Sequence, residues 1–288
     1  MINETINTLL TNSSATFIPI KLVSESSPYQ FWLSLLISAF TLIIFIIIMS
    51  KGAFSSLTLK YKLQQFSKLT GRPTVLIKHD NEGFFSMAMI TTKLVPKLNK
   101  ILQKMKGRRF NLILQTPGGD VFATILLSKI LRKYMNQIDA YIPNYSMSGG
   151  SLLALTCDTL HFNDYSCVGV IDPQIGGLFS SGSAAGWKDV MRIKKNKVND
   201  QSIIYHKIGQ QVTKSIATHI YSLVKNKCTK PKQFTKFITD GNVEHIFQID
   251  SELMRKYGFD VIDINDLEKE MLDNIMKIKT QEEIFSSV

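Results

Sequence analysis

Two short glycine turns hold the residue types that acyl transfer needs. They are TPGG at residues 116–119 and NYSMSGGS at residues 144–151. Acyl transfer requires a nucleophile, a base that takes its proton, and backbone N–H donors aimed at the oxyanion that develops on the attacked carbonyl. Ser148 offers a hydroxyl at the head of an apolar helical run, SLLALTCD, where free N–H groups and the helix dipole favour negative charge. The Gly149 N–H is available as one oxyanion donor, and Gly118 and Gly119 are candidates for the second. Gly149 and Gly150 also leave room for a substrate backbone to approach. Taken singly, SGG before a helix is equally an ordinary N-cap and PGG an ordinary turn. The pair is more specific, because both fall on successive strand–helix units.

The elements that position these turns follow from the hydrophobic periodicity. GRPTVLIKH (71–79) has the punctuation and apolar run of a strand. Leu94, Val95, Leu98, Ile101, Leu102 and Met105 recur at helical spacing. NLILQ (111–115) is a second strand, followed by TPGGD and an amphipathic helix, ATILLSKILRKYM. DAYIP is a third strand, ahead of NYSMSGG and the Ser148 helix, and HFN and CVGVID are short extended pieces. This alternation predicts an α/β fold with parallel strands, whose active groups gather at the strands' carboxyl ends. Both glycine turns fall there. GLFSSGSAAG (177–186) is expected as a flexible segment, a long helix runs from about Gln201 to Val224, and residues 266–288 form a charged helical tail.

No charged residue lies between Glu25 and Lys51, and Phe31 to Met49 is dominated by Phe, Leu and Ile. Residues 31–50 are therefore expected to form a transmembrane helix. No polar stripe marks the run as a buried globular helix, and it lies too far into the chain, without a basic n-region, for a cleaved signal peptide. Lys51, Lys60, Lys62, Lys68 and Arg72 follow it, against Lys21 alone before it. That bias predicts a single-pass protein with an extracytoplasmic tail (1–30), a basic connector (51–70) and a cytoplasmic catalytic domain (71–265).

Composition is that of a globular protein, with 44% hydrophobic and 20% charged residues. The net charge of +11 comes mainly from scattered lysines, with no arginine cluster, zinc-ligand spacing or RNA-binding aromatic signature. An anionic membrane surface is the better partner for that charge than nucleic acid. Cys157, Cys167 and Cys228 are odd in number and far apart, which favours neither a disulfide scaffold nor a metal site and fits a reducing compartment. No cofactor is expected.

From Asn111 to Gly177 the sequence resembles the serine dehydrogenase proteinase family, relatives of signal peptide peptidase A and the Clp proteolytic subunit. LILQTPGGDVFAT and YIPNYSMSGGSLLALTCDTLHFNDYSCVGVIDPQIGG carry the resemblance, and NDQSIIYHKIGQQ and FITDGNVEHIFQID extend it more loosely. It implies a Clp/crotonase-like spiral of ββα units, Ser148 as the nucleophile of a serine peptidase, and Gly119 and Gly149 flanking the oxyanion. It also implies a peptide substrate and a homo-oligomer. Asp172 stands where Clp subunits carry a histidine, and His161, His206, His219 and His245 have no motif support as a replacement. Membrane relatives of signal peptide peptidase A use a lysine base beyond a flexible segment instead. Lys188 follows Ser148 by 40 residues, with Trp187, Val190 and Met191 as an apolar setting, and equally fits a surface lysine beside Asp189. Lys194, Lys195 and Lys207 are the reserves. Asp172 is expected to orient a backbone turn or a partner protomer. Two rival readings are an inactive peptidase-like membrane scaffold and a crotonase-type acyl-CoA enzyme.

Overall fold

A computed structural model describes residues 28–79, 89–105, 107–134, 137–177, 180–194, 197–241, 247–280 and 283–288; within these, the side chains of residues 28, 30, 45–53, 177 and 180 are not described. The chain divides into a unit of residues 1–50 and a unit of residues 51–288. The first helix, α1, covers Pro28–Thr70. Among the described residues no helix is long and apolar enough to cross a membrane. The second half of the apolar run, from residue 45 onward, has no described side chains.

In the second unit α1 leads to β1 (Thr74–Lys78), α2 (Leu94–Met105), β2 (Phe110–Gln115) and α3 (Val121–Leu131). Next come β3 (Ile138–Ile142), β4 (Tyr145–Ser146), α4 (Gly149–Thr156), β5 (Thr159–Phe162) and β6 (Cys167–Gly169). A hairpin of β7 (Gln174–Gly177) and β8 (Ser180–Ser183) precedes α5 (Ala184–Lys194), α6 (Asp200–Val224) and α7 (Pro231–Thr239). The chain ends through β9 (Gln248–Ile249), α8 (Ser251–Lys256), β10 (Val261–Asp263), α9 (Asp266–Met276) and β11 (Ile284–Ser286).

The main sheet has the order β10-β5-β3-β2-β1-β11. Its first five strands are parallel and β11 is antiparallel to β1. A parallel sheet is covered on both faces, and the side-chain alternation shows how. Val75, Ile77, Leu112, Leu114, Ala140 and Ile142 point into one core with residues of α2, α3, α4, α6 and α7. Leu76, Ile113 and Tyr141 point the other way, onto Leu59, Leu63 and Phe66 of α1 and Leu272 and Ile275 of α9.

Three expectations change here. Residues 51–70 are helical throughout and bury Leu59, Leu63 and Phe66 completely, so they belong to the core and are not a connector. The C-terminal tail is helical only to Met276, and Ile284–Ser286 forms the sheet edge. The Gly/Ser/Ala segment, expected to be flexible, supplies Gly177 of β7, all of β8 and the first residues of α5, with β7 and β8 paired antiparallel. The sequence-predicted tail before residue 28 lies outside the described residues.

Candidate functional site

The two glycine turns meet. The end of β2 runs into Thr116, which bridges to Ser146 in parallel fashion; the Thr116 N–H donates to the Tyr145 carbonyl at 3.2 Å and the Met147 N–H donates to the Thr116 carbonyl at 2.9 Å. On its other side the TPGG loop bridges Ile90: the Ile90 N–H donates to the Gly118 carbonyl and the Asp120 N–H to the Ile90 carbonyl, both at 2.8 Å. The loop is thus clamped between two segments. Asp120 then caps α3, its Oδ1 accepting the Ala123 N–H at 2.6 Å.

Close approach dictates small residues at this junction. A Cβ on Gly150 would fall 2.5 Å from Thr116 Cγ2 and 2.6 Å from Ser146 Oγ, and one on Gly149 would fall 2.6 Å from Thr124 Oγ1. Ser151 pins the corner from beneath: fully buried, its Oγ accepts the Gly169 N–H at 2.9 Å and lies 2.7 Å from both the Ser146 and Gly169 carbonyl oxygens. Nothing in the sequence singles Ser151 out; its three-dimensional partners show that it holds the frame.

Between β4 and α4 stands Ser148, with φ +50° and ψ −115°. It is the one non-glycine residue with positive φ among the described residues. An L side chain there is strained by roughly 1–3 kcal/mol, and such strain persists where the surroundings impose it. Ser148 is half-buried, its side chain makes no capping bond to α4, and its hydroxyl has no hydrogen-bond partner among the described residues. A strand–turn–helix corner of this form holds a serine hydroxyl away from its own backbone and toward an incoming group.

The backbone donors around Ser148 are not equivalent. The Gly118 N–H, one of the candidate donors, is engaged here, donating to Thr116 Oγ1 at 3.1 Å. The N–H groups of Gly119 and Gly149 have no acceptor among the described residues. A Cβ on Gly149 would lie 3.5 Å from the Gly119 nitrogen, so the two are neighbours. Gly149 also begins α4, where the helix dipole adds positive potential. At the far end of α4 the Lys227 ammonium donates to the carbonyls of Leu155, Thr156 and Cys157 at 2.9, 3.1 and 2.5 Å. Burial holds the Lys227 pKa below the usual lysine range, against the opposing pull of Cys157 and Asp158. Burial also pushes the Cys157 thiol up to about 12, with Lys227 opposing and Asp158 assisting.

His79, unmentioned by any motif, supports the loop from behind. It is buried, and its Nδ1 lies 2.9 Å from Thr116 Oγ1, the same oxygen that accepts from Gly118. The signal available in sequence was its position one residue past β1, at a strand's carboxyl end. The other histidines take structural places. His161 stacks on Tyr141 with ring centroids 4.2 Å apart, and burial, then Arg72, draws it down to about 4. His219 Nε2 meets Ser128 Oγ at 2.8 Å, and burial, followed by Arg132 and Lys129, lowers its pKa. His206 is half-buried on α6, and His245 lies outside the described residues.

The remaining predicted residues lie elsewhere. Asp172 is buried, and its Oδ1 accepts the Ala185 N–H at the start of α5 at 3.4 Å. Lys188 is on α5 and exposed. Trp187 does not shield it, since that indole donates to the Ile175 carbonyl at 2.9 Å and packs on Tyr205. Asp172 and Lys188 line one cavity, and Ser148 is not in its lining. Lys194 and Lys207 are exposed on α5 and α6, and Lys195 lies outside the described residues. All three cysteines are free, and the described residues contain no His/Cys/Asp/Glu cluster able to hold a metal ion.

An α/β domain that forces a serine into a left-handed corner beside two unengaged N–H groups has the parts of a serine hydrolase. Residues 28–282 match the ClpP-like SDH-type serine proteinase family, and the chain belongs to that family. Its curated relatives include two uncharacterized proteins of Methanocaldococcus jannaschii. One is 28% identical over 65% of this chain and 67% of its own length; the other is 31% identical over 52% of this chain and 51% of its own. Among solved structures, a mutant membrane-bound stomatin-specific protease in complex with a substrate peptide is 16% identical, covering 63% of this chain and 74% of its own, with a TM-score of 0.43. ClpP1 from Listeria monocytogenes is 17% identical, covering 73% of this chain and 99% of its own, with a TM-score of 0.43.

Proposed function

We propose that the chain is a membrane-anchored serine endopeptidase that acts through an acyl-enzyme on Ser148. The observation that carries this reading is the positive φ of Ser148 at the head of α4. Ser148 Oγ attacks the scissile carbonyl, the carbonyl oxygen takes up the negative charge, and the N–H groups of Gly119 and Gly149 receive it. The amine leaves with a proton, and water then attacks the acyl-enzyme to release the second product and regenerate the hydroxyl.

Lys188 is the proposed base. It takes the Ser148 proton, gives it to the leaving amine and later activates the water. A base must come within hydrogen-bond reach of the hydroxyl, and a lysine must lose solvent to act near neutral pH. Because Lys188 is exposed in the single chain, bound peptide or a second protomer supplies that desolvation. Asp172 supports the assignment by holding the first turn of α5. Assembly into a homo-oligomer is part of the same proposal. The uncharged run from residue 31 to 50 supports a single membrane span, and the lysines after it support a cytoplasmic catalytic domain.

The test is a fluorophosphonate probe applied to the detergent-solubilised full chain and its Ser148→Ala variant, with adducts mapped by mass and a peptide library digested in parallel. An adduct on Ser148, and hydrolysis that disappears in the variant, are expected. Hydrolysis that survives in folded Ser148→Ala overturns the nucleophile. Full activity in Lys188→Ala overturns the base and leaves the nucleophile standing.

A further inference from the structure

A cavity of about 790 Å³ opens between α5, α6 and α7. Four lysines line it: Lys188 on α5, Lys214 on α6, and Lys232 and Lys236 on α7. All four are exposed, and among the described residues none of their ammonium groups has an ion-pair or hydrogen-bond partner. Two carboxylates, Asp172 and Asp240, share the lining, so with Lys188 left out as the proposed base, which works as the neutral amine, three positive charges still face two negative ones. Asp172 already accepts the Ala185 N–H.

A second observation points to a ligand. Thr235 lines the same cavity at 7% exposure, and its Oγ1 has no hydrogen-bond partner among the described residues. One turn on, the Thr239 hydroxyl is satisfied by the Thr235 carbonyl at 2.8 Å, which is the ordinary fate of a helical threonine. A buried hydroxyl left without a partner beside unpaired cations calls for an acceptor from outside.

We propose that this cavity docks an extended acidic segment of a partner or substrate protein. Lys232 and Lys236 stand four residues apart on one face of α7, which sets their stems about 6 Å apart. Alternate side chains of an extended peptide are spaced by about 6.6 Å, twice the strand rise per residue. Carboxylates at alternate positions therefore meet both lysines, Lys214 faces the same ligand from α6, and the Thr235 hydroxyl, enclosed in the free chain, donates to a peptide carbonyl or carboxylate once its side chain rotates into the cavity. Asp172 and Asp240 disfavour a continuous polyanion, whose every unit is charged. A peptide with spaced acids leaves neutral stretches for them. The proposal does not depend on Ser148 being the nucleophile, because it concerns binding alone.

The test is fluorescence anisotropy on the detergent-solubilised full chain, using a short labelled peptide with glutamate at alternate positions and its glutamine counterpart. The acidic peptide binds, salt weakens it, and the glutamine peptide does not bind. Lys232→Glu with Lys236→Glu weakens binding by roughly tenfold or more, and Thr235→Val by several-fold, while the rate of Ser148 labelling stays unchanged. Lys214→Gln is read in parallel in case the double variant fails to fold. Equal affinity for both peptides, or unchanged affinity in the folded lysine variants, overturns the proposal. So does lysine-dependent binding of inorganic phosphate or phosphatidylserine vesicles with no binding of the acidic peptide.

Discussion

A side chain added to Gly118 would begin 2.9 Å from the Cβ of Ser148 and 2.9 Å from the Met147 carbonyl oxygen. The glycine in one turn is therefore set by the serine in the other. Gly118 also has φ +107°, which a side chain resists on its own account. With its N–H bound to Thr116 Oγ1, Gly118 acts as the contact that lets the two turns touch, while Gly119 keeps its N–H unengaged.

Gly118→Ala is accordingly expected to destabilise the fold by about 2 kcal/mol or more, since unfavourable φ and a backbone clash act together. Urea unfolding measures this, and the fluorophosphonate probe on the same sample should show labelling of Ser148 slowed or lost. A variant with unchanged midpoint and labelling would mean that the two turns lie farther apart.

Ser148→Gly should be more stable than the parent by about 1 kcal/mol, because it relieves the positive-φ strain while adding some chain entropy to the unfolded state. Ser148→Ala retains a Cβ and should gain nothing. Both should fail to hydrolyse peptide. Equal melting temperatures for glycine and alanine would argue that the corner is relaxed.

The alternation of strands and helices was legible chiefly because β1 and β2 carry the apolar runs VLI and LIL and α2 buries Leu94, Leu98, Leu102 and Met105 at helical spacing; α4 is apolar all round. The position of both glycine turns at strand ends was legible for the same reason. The donor role was not separable by sequence: Gly118 and Gly119 are identical residues, and which N–H is engaged depends on where the Thr116 hydroxyl turns. Residues 51–70 read as a connector because lysines at 60, 62 and 68 mask the Leu59, Leu63, Phe66 stripe. The last strand was hidden by its length, as three residues of β11 carry no periodicity to detect. His79 escaped because no spacing rule links it to Thr116, 37 residues away.

Lys227→Met tests the other end of α4. Methionine keeps most of the apolar stem but leaves the Leu155, Thr156 and Cys157 carbonyls without their donor. Buried acceptors left unpaired cost about 1–3 kcal/mol. Urea unfolding should show a loss in that range, without loss of Ser148 labelling in the folded fraction. A neutral result would mean that water replaces the ammonium at those carbonyls.

The His161–Tyr141 stack makes stability depend on pH in a defined window. Burial and Arg72 take His161 from 6.5 down to about 4 in the folded chain. The unfolded chain therefore binds a proton first as pH falls, and stability declines with falling pH between about 6.5 and 4. Between pH 6.5 and 5 this amounts to about 2 kcal/mol at most. His219, shifted in the same direction, adds to the slope. His161→Phe keeps an aromatic ring on Tyr141 and removes the titration, so its urea midpoint should fall less between pH 7 and pH 5 than the parent's. Identical slopes for the two proteins would place the His161 proton in water and not against the core.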